Sequence, residues 1–258
     1  AAEERMSLLD AVVAAGVDTS RMMPGTGCCS IPETVKLTAH AVKHGCAGVL
    51  MLPPFYYKGV SDEGIFRHYS EVIQRVGDAR LRIYVYHIPP VAVVGITPKL
   101  VERLLKEYPT AVAGMKDSSG DWNNTKTFLD NFAKSGFDVF VGSESFLLAN
   151  MKNGGVGTIS ATANVNPAAI HKLYLEWQNA DADAQQQRLN LVRDTVGKKY
   201  VMISALKQTI AIYANDPAWG KVRPPLTELT PEQCTSLAAE LKEIGFTMPG
   251  LKRATATA

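Results

Sequence analysis

Hydrophobic and polar positions follow two rhythms along this chain. Glu3–Ala15 carries Met6, Leu9, Val12 and Val13 at helical spacing, with Gly16 just beyond its end. A short apolar run, Met22-Met23-Pro24, follows, reads as the first strand and is closed by Gly25-Thr26-Gly27. Pro32–Lys43 reads as a helix with proline in its first turn and His44-Gly45 at its end. Ala47–Leu52 is apolar throughout and reads as a strand, and Gly64–Arg75 is helical again. The alternation then repeats. Leu81–Tyr86, Ala111–Lys116, Phe137–Val141 and Val156–Ser160 have the composition of strands. Pro98–Tyr108, Asn124–Ser135 and Phe146–Asn153 lie between them with the spacing of helices. Strands that are apolar along their whole length, each followed by a helix, predict a parallel sheet covered on its outer face.

Beyond Ala163 the strands stop. Pro167–Asn179, Ala182–Tyr213 (broken near 196–199) and Pro231–Ile244 read as helices, with the Pro-rich loop Asn215–Pro225 among them. The fold class that follows is α/β: a TIM-type (β/α) barrel with six strands visible, either incomplete or completed by another means, plus a C-terminal helical extension. The barrel portion is expected over residues 1–164, and the last barrel helix with the extension over 165–258.

Composition narrows the function classes. The 258 residues are 46% hydrophobic and 20% charged, ordinary for a globular chain with one large core, and only the Arg253–Ala258 tail reads as disordered. Net charge is +2 with no basic block, which argues against nucleic acid or an anionic membrane as partner. No apolar run is as long as a membrane span, and the first residues are acidic, unlike a signal peptide. Cys28, Cys29, Cys46 and Cys234 form no C-x-x-C pair and read as small buried or half-buried thiols, and the five histidines complete no zinc pattern. A cytoplasmic protein without metal or cofactor is the expectation.

In barrels of this kind chemistry is assembled where strands end. Lys116 ends the run Ala111-Val112-Ala113-Gly114-Met115. Lysine is rarely buried without a reason. An ammonium taken out of water tends toward its neutral amine, the form that attacks a ketone, and the iminium so formed is an electron sink for making or breaking a carbon–carbon bond. Taken alone, a strand-end lysine more often snorkels into solvent. Tyr86 sharpens the reading because it ends the preceding strand, where a phenol can move protons for imine chemistry.

Tyr86-His87-Ile88-Pro89 and Gly114-Met115-Lys116-Asp117-Ser118-Ser119-Gly120 resemble motifs of the dihydrodipicolinate synthase / N-acetylneuraminate lyase family. So do Gly25-Thr26-Gly27, Leu52-Pro53-Pro54-Phe55-Tyr56-Tyr57 and Gly157-Thr158-Ile159-Ser160-Ala161-Thr162-Ala163-Asn164, in the same order along the whole chain. The resemblance implies a class I aldolase or lyase that binds pyruvate or a related 2-keto acid as a Schiff base on Lys116, with an aldehyde as second substrate. It implies Tyr86 as the proton-transfer phenol, Tyr56 as an aromatic that reaches a neighbouring subunit's site, and Ile159 and Ser160 beside the imine. Glu144 falls in the loop that meets the distal part of the substrate in some sugar-acid members; a solvated loop carboxylate is the plain alternative. A homo-oligomer, dimer or tetramer, is implied as well.

Two departures matter. Members that make dihydrodipicolinate carry an arginine shortly after the Tyr-x-x-Pro, where this chain has Pro90-Val91-Ala92-Val93-Val94-Gly95. A strict synthase is therefore disfavoured. The family's first two βα units, with a carboxylate-binding Gly-Thr-Thr-Gly-Glu motif, also have no counterpart. Weak activity is one expectation; a shortened, non-catalytic barrel serving as a binding or oligomerising module is the alternative. Metal-dependent aldol chemistry is disfavoured because no strand end presents two histidines with a carboxylate.

Overall fold

The computed structural model describes residues 1–251; the tail expected to be disordered, Arg253–Ala258, lies outside the described residues. The chain divides into two compact units. The first comprises Ala1–Gly142 with Asn153–Val156; the second comprises Ser143–Lys152 and the chain from Gly157 onward. The segment Ser143–Lys152 and the strand that follows thus group with the late helices.

In the first unit, helices α1 (Ala2–Ala14) and α2 (Ile31–Lys43) precede strand β1 (Val49–Met51). Then come α3 (Asp62–Val76), β2 (Ile83–His87), a single turn α4 (Pro89–Ala92), α5 (Pro98–Glu107), β3 (Val112–Asp117), α6 (Trp122–Phe132) and β4 (Asp138–Val141). The strands pair in chain order and all in parallel: Leu50 opposite Tyr84, Tyr86 opposite Lys116, Met115 opposite Val139. Met22–Pro24, which reads as a further strand, contributes one isolated bridge between Gly25 and Leu50. Pro24 can only accept there, taking the Leu50 N–H at 2.9 Å, so the ladder does not extend.

One face of this sheet is dry. Val49, Met51, Ile83, Val85, Val112, Met115, Val139 and Val141 are fully buried. Most of them join Ala41, Ile65, Tyr69, Val72, Leu100, Leu104 and Phe128 of the covering helices in one core cluster. Burying each aliphatic side chain contributes about 1.5–3 kcal/mol, and polar residues enter this face only at the strand ends, as His87 and Asp117, where each has a hydrogen-bond partner. The helices start where their caps allow. Ser61 accepts from Gly64 N–H at 3.2 Å to open α3, Gly77 closes it in the left-handed region, and Thr97 with Pro98 opens α5.

The second unit holds α7 (Leu147–Lys152), the two-residue strand β5 (Gly157–Thr158), α8 (Pro167–Glu176), α9 (Ala182–Gly197), α10 (Met202–Ala214) and α11 (Pro231–Glu243). The break expected near 196–199 falls between α9 and α10. Two cores hold this unit, one of Val192, Val196, Leu206, Leu237 and Leu241, the other of Leu147, Leu148, Ile170, Leu173 and Leu189. Five strands are therefore formed among the described residues. No helix among them is long and apolar enough to cross a membrane.

Candidate functional site

The opposite face of the sheet carries the candidate pair, Tyr86 and Lys116. Side chains alternate along β2, so Ile83, Val85 and His87 point into the core while Tyr84 and Tyr86 line the other, half-buried face. On β3 the register shifts by one residue: Ile83 pairs with Val112, yet Tyr84 pairs with Gly114. Ala113 is the extra residue. Because of it Met115 stays in the core beside Val85, and Lys116 comes opposite Tyr86. The Lys116 Nζ lies 4.3 Å from the centre of the Tyr86 ring, with the lysine almost wholly buried. The pair stands one residue before the C-terminal ends of both strands.

Below this pair the same face carries Tyr84, whose hydroxyl donates to Asp138 Oδ2 at 2.9 Å and whose ring meets Phe140 edge-on at 5.7 Å. Burial first, and the Asp138 carboxylate second, push the Tyr84 phenol well above its ordinary value. Tyr84 is a hydrogen-bonded floor, fixed as a neutral phenol. It fits because Gly114 has no side chain: a Cβ there would lie 2.3 Å from the Asp138 carbonyl oxygen and 2.8 Å from Tyr84 Cδ1.

The residues after Lys116 hold the strand end. Asp117 Oδ2 accepts from Thr125 Oγ1 at 2.6 Å and from Asn124 Nδ2 at 3.0 Å, while Oδ1 accepts from Ser119 N–H at 2.8 Å. His87, opposite Asp117, is buried and accepts the Ile96 N–H on Nδ1 at 2.8 Å. Burial pushes its pKa down, against the opposing pull of Asp117. With Nδ1 occupied as acceptor, the neutral ring carries its proton on Nε2. His87 is thus a brace for the β2 end.

The loop after β1 is exposed. Tyr56 and Tyr57 are each 75% exposed and pack edge-on, 5.2 Å apart. Lys58 ties this loop to the turn after β2, donating to Phe55 O and to Ala92 O. Val91 and Val93 are exposed beside that anchor, Val93 in the left-handed region at φ 56°.

In the second unit Glu144 has no exposed surface. Its Oε2 accepts from Ser160 Oγ and from Arg193 Nη1, the latter at 3.0 Å, and Oε1 is buried without a partner. Arg193 also reaches Ser160 Oγ at 3.2 Å and Thr162 Oγ1 at 3.4 Å. Ile159, next to this network, is half-buried. Five of the sequence candidates therefore fall into two groups, Tyr86 with Lys116 in one unit and Glu144 with Ser160 and its neighbour Ile159 in the other, and Tyr56 stands apart on its loop. Sequence reasoning missed Tyr84, Asp138 and Arg193. Tyr84 was findable, being two residues before Tyr86 on the same strand face; Arg193 carries no local signal.

Most of the chain has known counterparts. A model of the dihydrodipicolinate synthetase family matches residues 1–244. An uncharacterized DapA-like lyase of Chloroflexus aurantiacus is 31% identical over 242 residues, covering 93% of this chain and 79% of that protein. A 4-hydroxy-tetrahydrodipicolinate synthase of Thermus thermophilus is 39% identical over 169 residues, covering 65% of this chain and 54% of that one. The crystal structure of dihydrodipicolinate synthase from Agrobacterium tumefaciens superposes with a TM-score of 0.84 at 30% identity, over 94% of this chain and 81% of the other. These matches make the chain a member of the dihydrodipicolinate synthetase family of lyases.

Proposed function

We propose that this protein forms a Schiff base between Lys116 and pyruvate or a related 2-keto acid, and uses it to make or cleave a carbon–carbon bond. The observation that carries the reading is the Lys116 amine held over the Tyr86 ring at 4.3 Å, on the polar face of the sheet at the strand ends. The amine adds to the keto carbon, the carbinolamine loses water, and the iminium accepts the electron pair released when the neighbouring carbon gives up a proton or breaks its bond to an aldehyde carbon. Each stage moves a proton, and we assign that role to the phenol of Tyr86, whose ring lies against the amine. Ser160 and Ile159 are assigned to the substrate by the family resemblance. For Glu144 we favour a positioning role, because a carboxylate with no exposed surface acts through the Ser160 hydroxyl and the Arg193 guanidinium that it holds.

The second substrate is a neutral hydroxyaldehyde in this reading. A second carboxylate, as on aspartate semialdehyde, calls for a free cation near the turn after β2; residues 90–95 read Pro-Val-Ala-Val-Val-Gly, and the Lys58 ammonium that reaches this turn is engaged by Phe55 O and Ala92 O. A homo-oligomer is supported by the exposed apolar side chains of Phe55, Tyr56, Tyr57, Val91 and Val93 on two loops linked by Lys58.

Borohydride reduction in the presence of pyruvate tests the reading. Peptide mapping should find the pyruvyl adduct on Lys116 and none in Lys116→Ala. Absence of any adduct in the folded parent would favour a non-catalytic binding role, and an adduct that survives in Lys116→Ala would move the nucleophile elsewhere.

A further inference from the structure

Away from the strand ends, the first unit gathers a second set of reactive side chains on its helical layer. His40 and His44 stand four residues apart at the C-terminal end of α2, and Asp10 faces them from α1. Asp10 Oδ1 is 2.8 Å from His40 Nε2 and 2.8 Å from His44 Nε2, and the two imidazoles meet edge-on with centres 4.7 Å apart. The ligand atoms of all three residues lie within 4.8 Å of one another. The His44 nitrogen makes a hydrogen bond to Asp10; the His40 nitrogen, although equally close, makes none and is buried without a hydrogen-bond partner. A single carboxylate oxygen thus sits between two ring nitrogens and satisfies only one of them.

We propose that Asp10, His40 and His44 form a binding site for a divalent transition-metal ion of the zinc class, which clips α1 to α2. Two imidazoles and one carboxylate are the donor set of a borderline-soft cation, whereas magnesium and calcium prefer oxygen alone. Histidines at i and i+4 share one helix face, so a single ion can be held by both without distorting α2. The cation would also lie at the C-terminal end of α2, where the helix dipole is negative. His40 is largely sheltered, with 14% of its side chain exposed, His44 has 23% and Asp10 51%. The open side belongs to Asp10, which leaves a coordination position for water and lets the carboxylate turn to suit the ion. No local spacing reveals this site, because its third ligand comes from another helix thirty residues away.

Cobalt(II) titration of the full chain, after dialysis against a chelator, tests the proposal with a spectroscopic readout independent of activity. One ion per chain should bind and give visible ligand-field bands, without the thiolate charge-transfer band that Cys28 or Cys29 would produce, and zinc should displace it. Asp10→Asn, at an exposed position that keeps its shape, and His44→Gln should each weaken binding by at least about tenfold, since even outer-sphere partners of a metal ligand commonly cost that much. Zinc should raise the melting temperature of the parent and leave Asp10→Asn unmoved. Stoichiometric binding that persists undiminished in both variants would overturn the site, as would failure of cobalt(II) and zinc to bind the parent at millimolar concentration.

Discussion

Lys116 stands opposite Tyr86 because Ala113 adds one residue to β3 that β2 does not match. Up to Ile83 and Val112 the strands run in one register; from Tyr84 and Gly114 onward they run in another. Without that shift Tyr86 would pair with Met115, and the lysine would fall on the core face among Val85 and Val139. A bulge is a common device for re-aiming a side chain next to a site. Here it permits Val112 and Met115 both to face the core while the amine points the other way.

If the phenol of Tyr86 moves protons for the imine, Tyr86→Phe should keep the fold and slow turnover by about 10²–10⁴-fold, the usual contribution of a positioned acid–base group. Borohydride trapping of pyruvate on Lys116 should become slower in the same variant. Steady-state rates beside a circular dichroism spectrum are sufficient, and an unchanged rate in a folded variant would return Tyr86 to a packing role.

In the proposed function, the turn after β2 sets the choice of second substrate. With pyruvate as donor, neutral hydroxyaldehydes should turn over faster than aspartate semialdehyde. Introducing a guanidinium by Val91→Arg should narrow the gap, because a charge-assisted pair to the second carboxylate contributes about 1.5–3 kcal/mol. Comparable turnover of both substrate types in the parent would remove the basis for this distinction.

Gly114 tests how tightly the floor of the site is built. An alanine methyl group would meet the Asp138 carbonyl oxygen and the Tyr84 ring at contacts shorter than real Cβ atoms show. The carbonyl is held by the strand, so β3 and β4 must part. Overpacking of this sort costs about 1–3 kcal/mol. Displacing Lys116 by about one ångström can cost about 10²-fold in rate. Gly114→Ala should therefore lose activity out of proportion to its loss of melting temperature. A variant with parental activity and stability would mean that the strands have slack.

Much of this was legible in the chain. The helices and strand cores follow from the two periodicities, because a buried face admits only apolar residues at every second or every third and fourth position. Tyr86 and Lys116 could be read as strand ends for the same reason. The strand read at Met22–Pro24 shrinks to a bridge because Pro24 has no N–H to give. The bulge at Ala113 left no trace, since Ala-Val-Ala-Gly-Met is equally apolar in either register. Arg193 lies 49 residues from Glu144, and the cluster of Asp10 with His40 spans two helices; such partnerships are set by packing, which a one-dimensional pattern does not encode.

Two buried histidines make stability depend on pH. His68 and His87 both have pKa values pushed below 6.5, chiefly by burial; for His87 the facing Asp117 opposes the shift, while His68 has an unpartnered Nε2 and packs edge-on to Tyr69. A folded-state value below the unfolded one means that the unfolded chain takes up the proton first. Stability is then full above about pH 6.5 and falls as the pH drops below it, by about 1.4 kcal/mol per pH unit for each histidine until its folded value is reached. Urea midpoints between pH 7.5 and 5.5 should show this slope, and His68→Leu should remove its share. A flat profile in the parent would contradict it.

Breaking the buried pair in the second unit should be costly, and the way it is broken should matter. Arg193→Met leaves Glu144 with no exposed surface, no cation and only the Ser160 hydroxyl as donor. Removing one partner of a buried ion pair costs about 3–5 kcal/mol, most of it for the charge left behind. Because about a quarter of the Arg193 side chain reaches solvent, the lower end of that range is expected. Adding Glu144→Gln removes the stranded charge and keeps an acceptor for Ser160. The double variant should accordingly be more stable than Arg193→Met alone, a non-additivity of about 1–3 kcal/mol for residues in one network. Urea denaturation of the two single variants and the double variant at pH 7.5 measures it. Strictly additive losses would mean that Glu144 and Arg193 do not depend on one another, and the positioning role given to Glu144 would fall with that result.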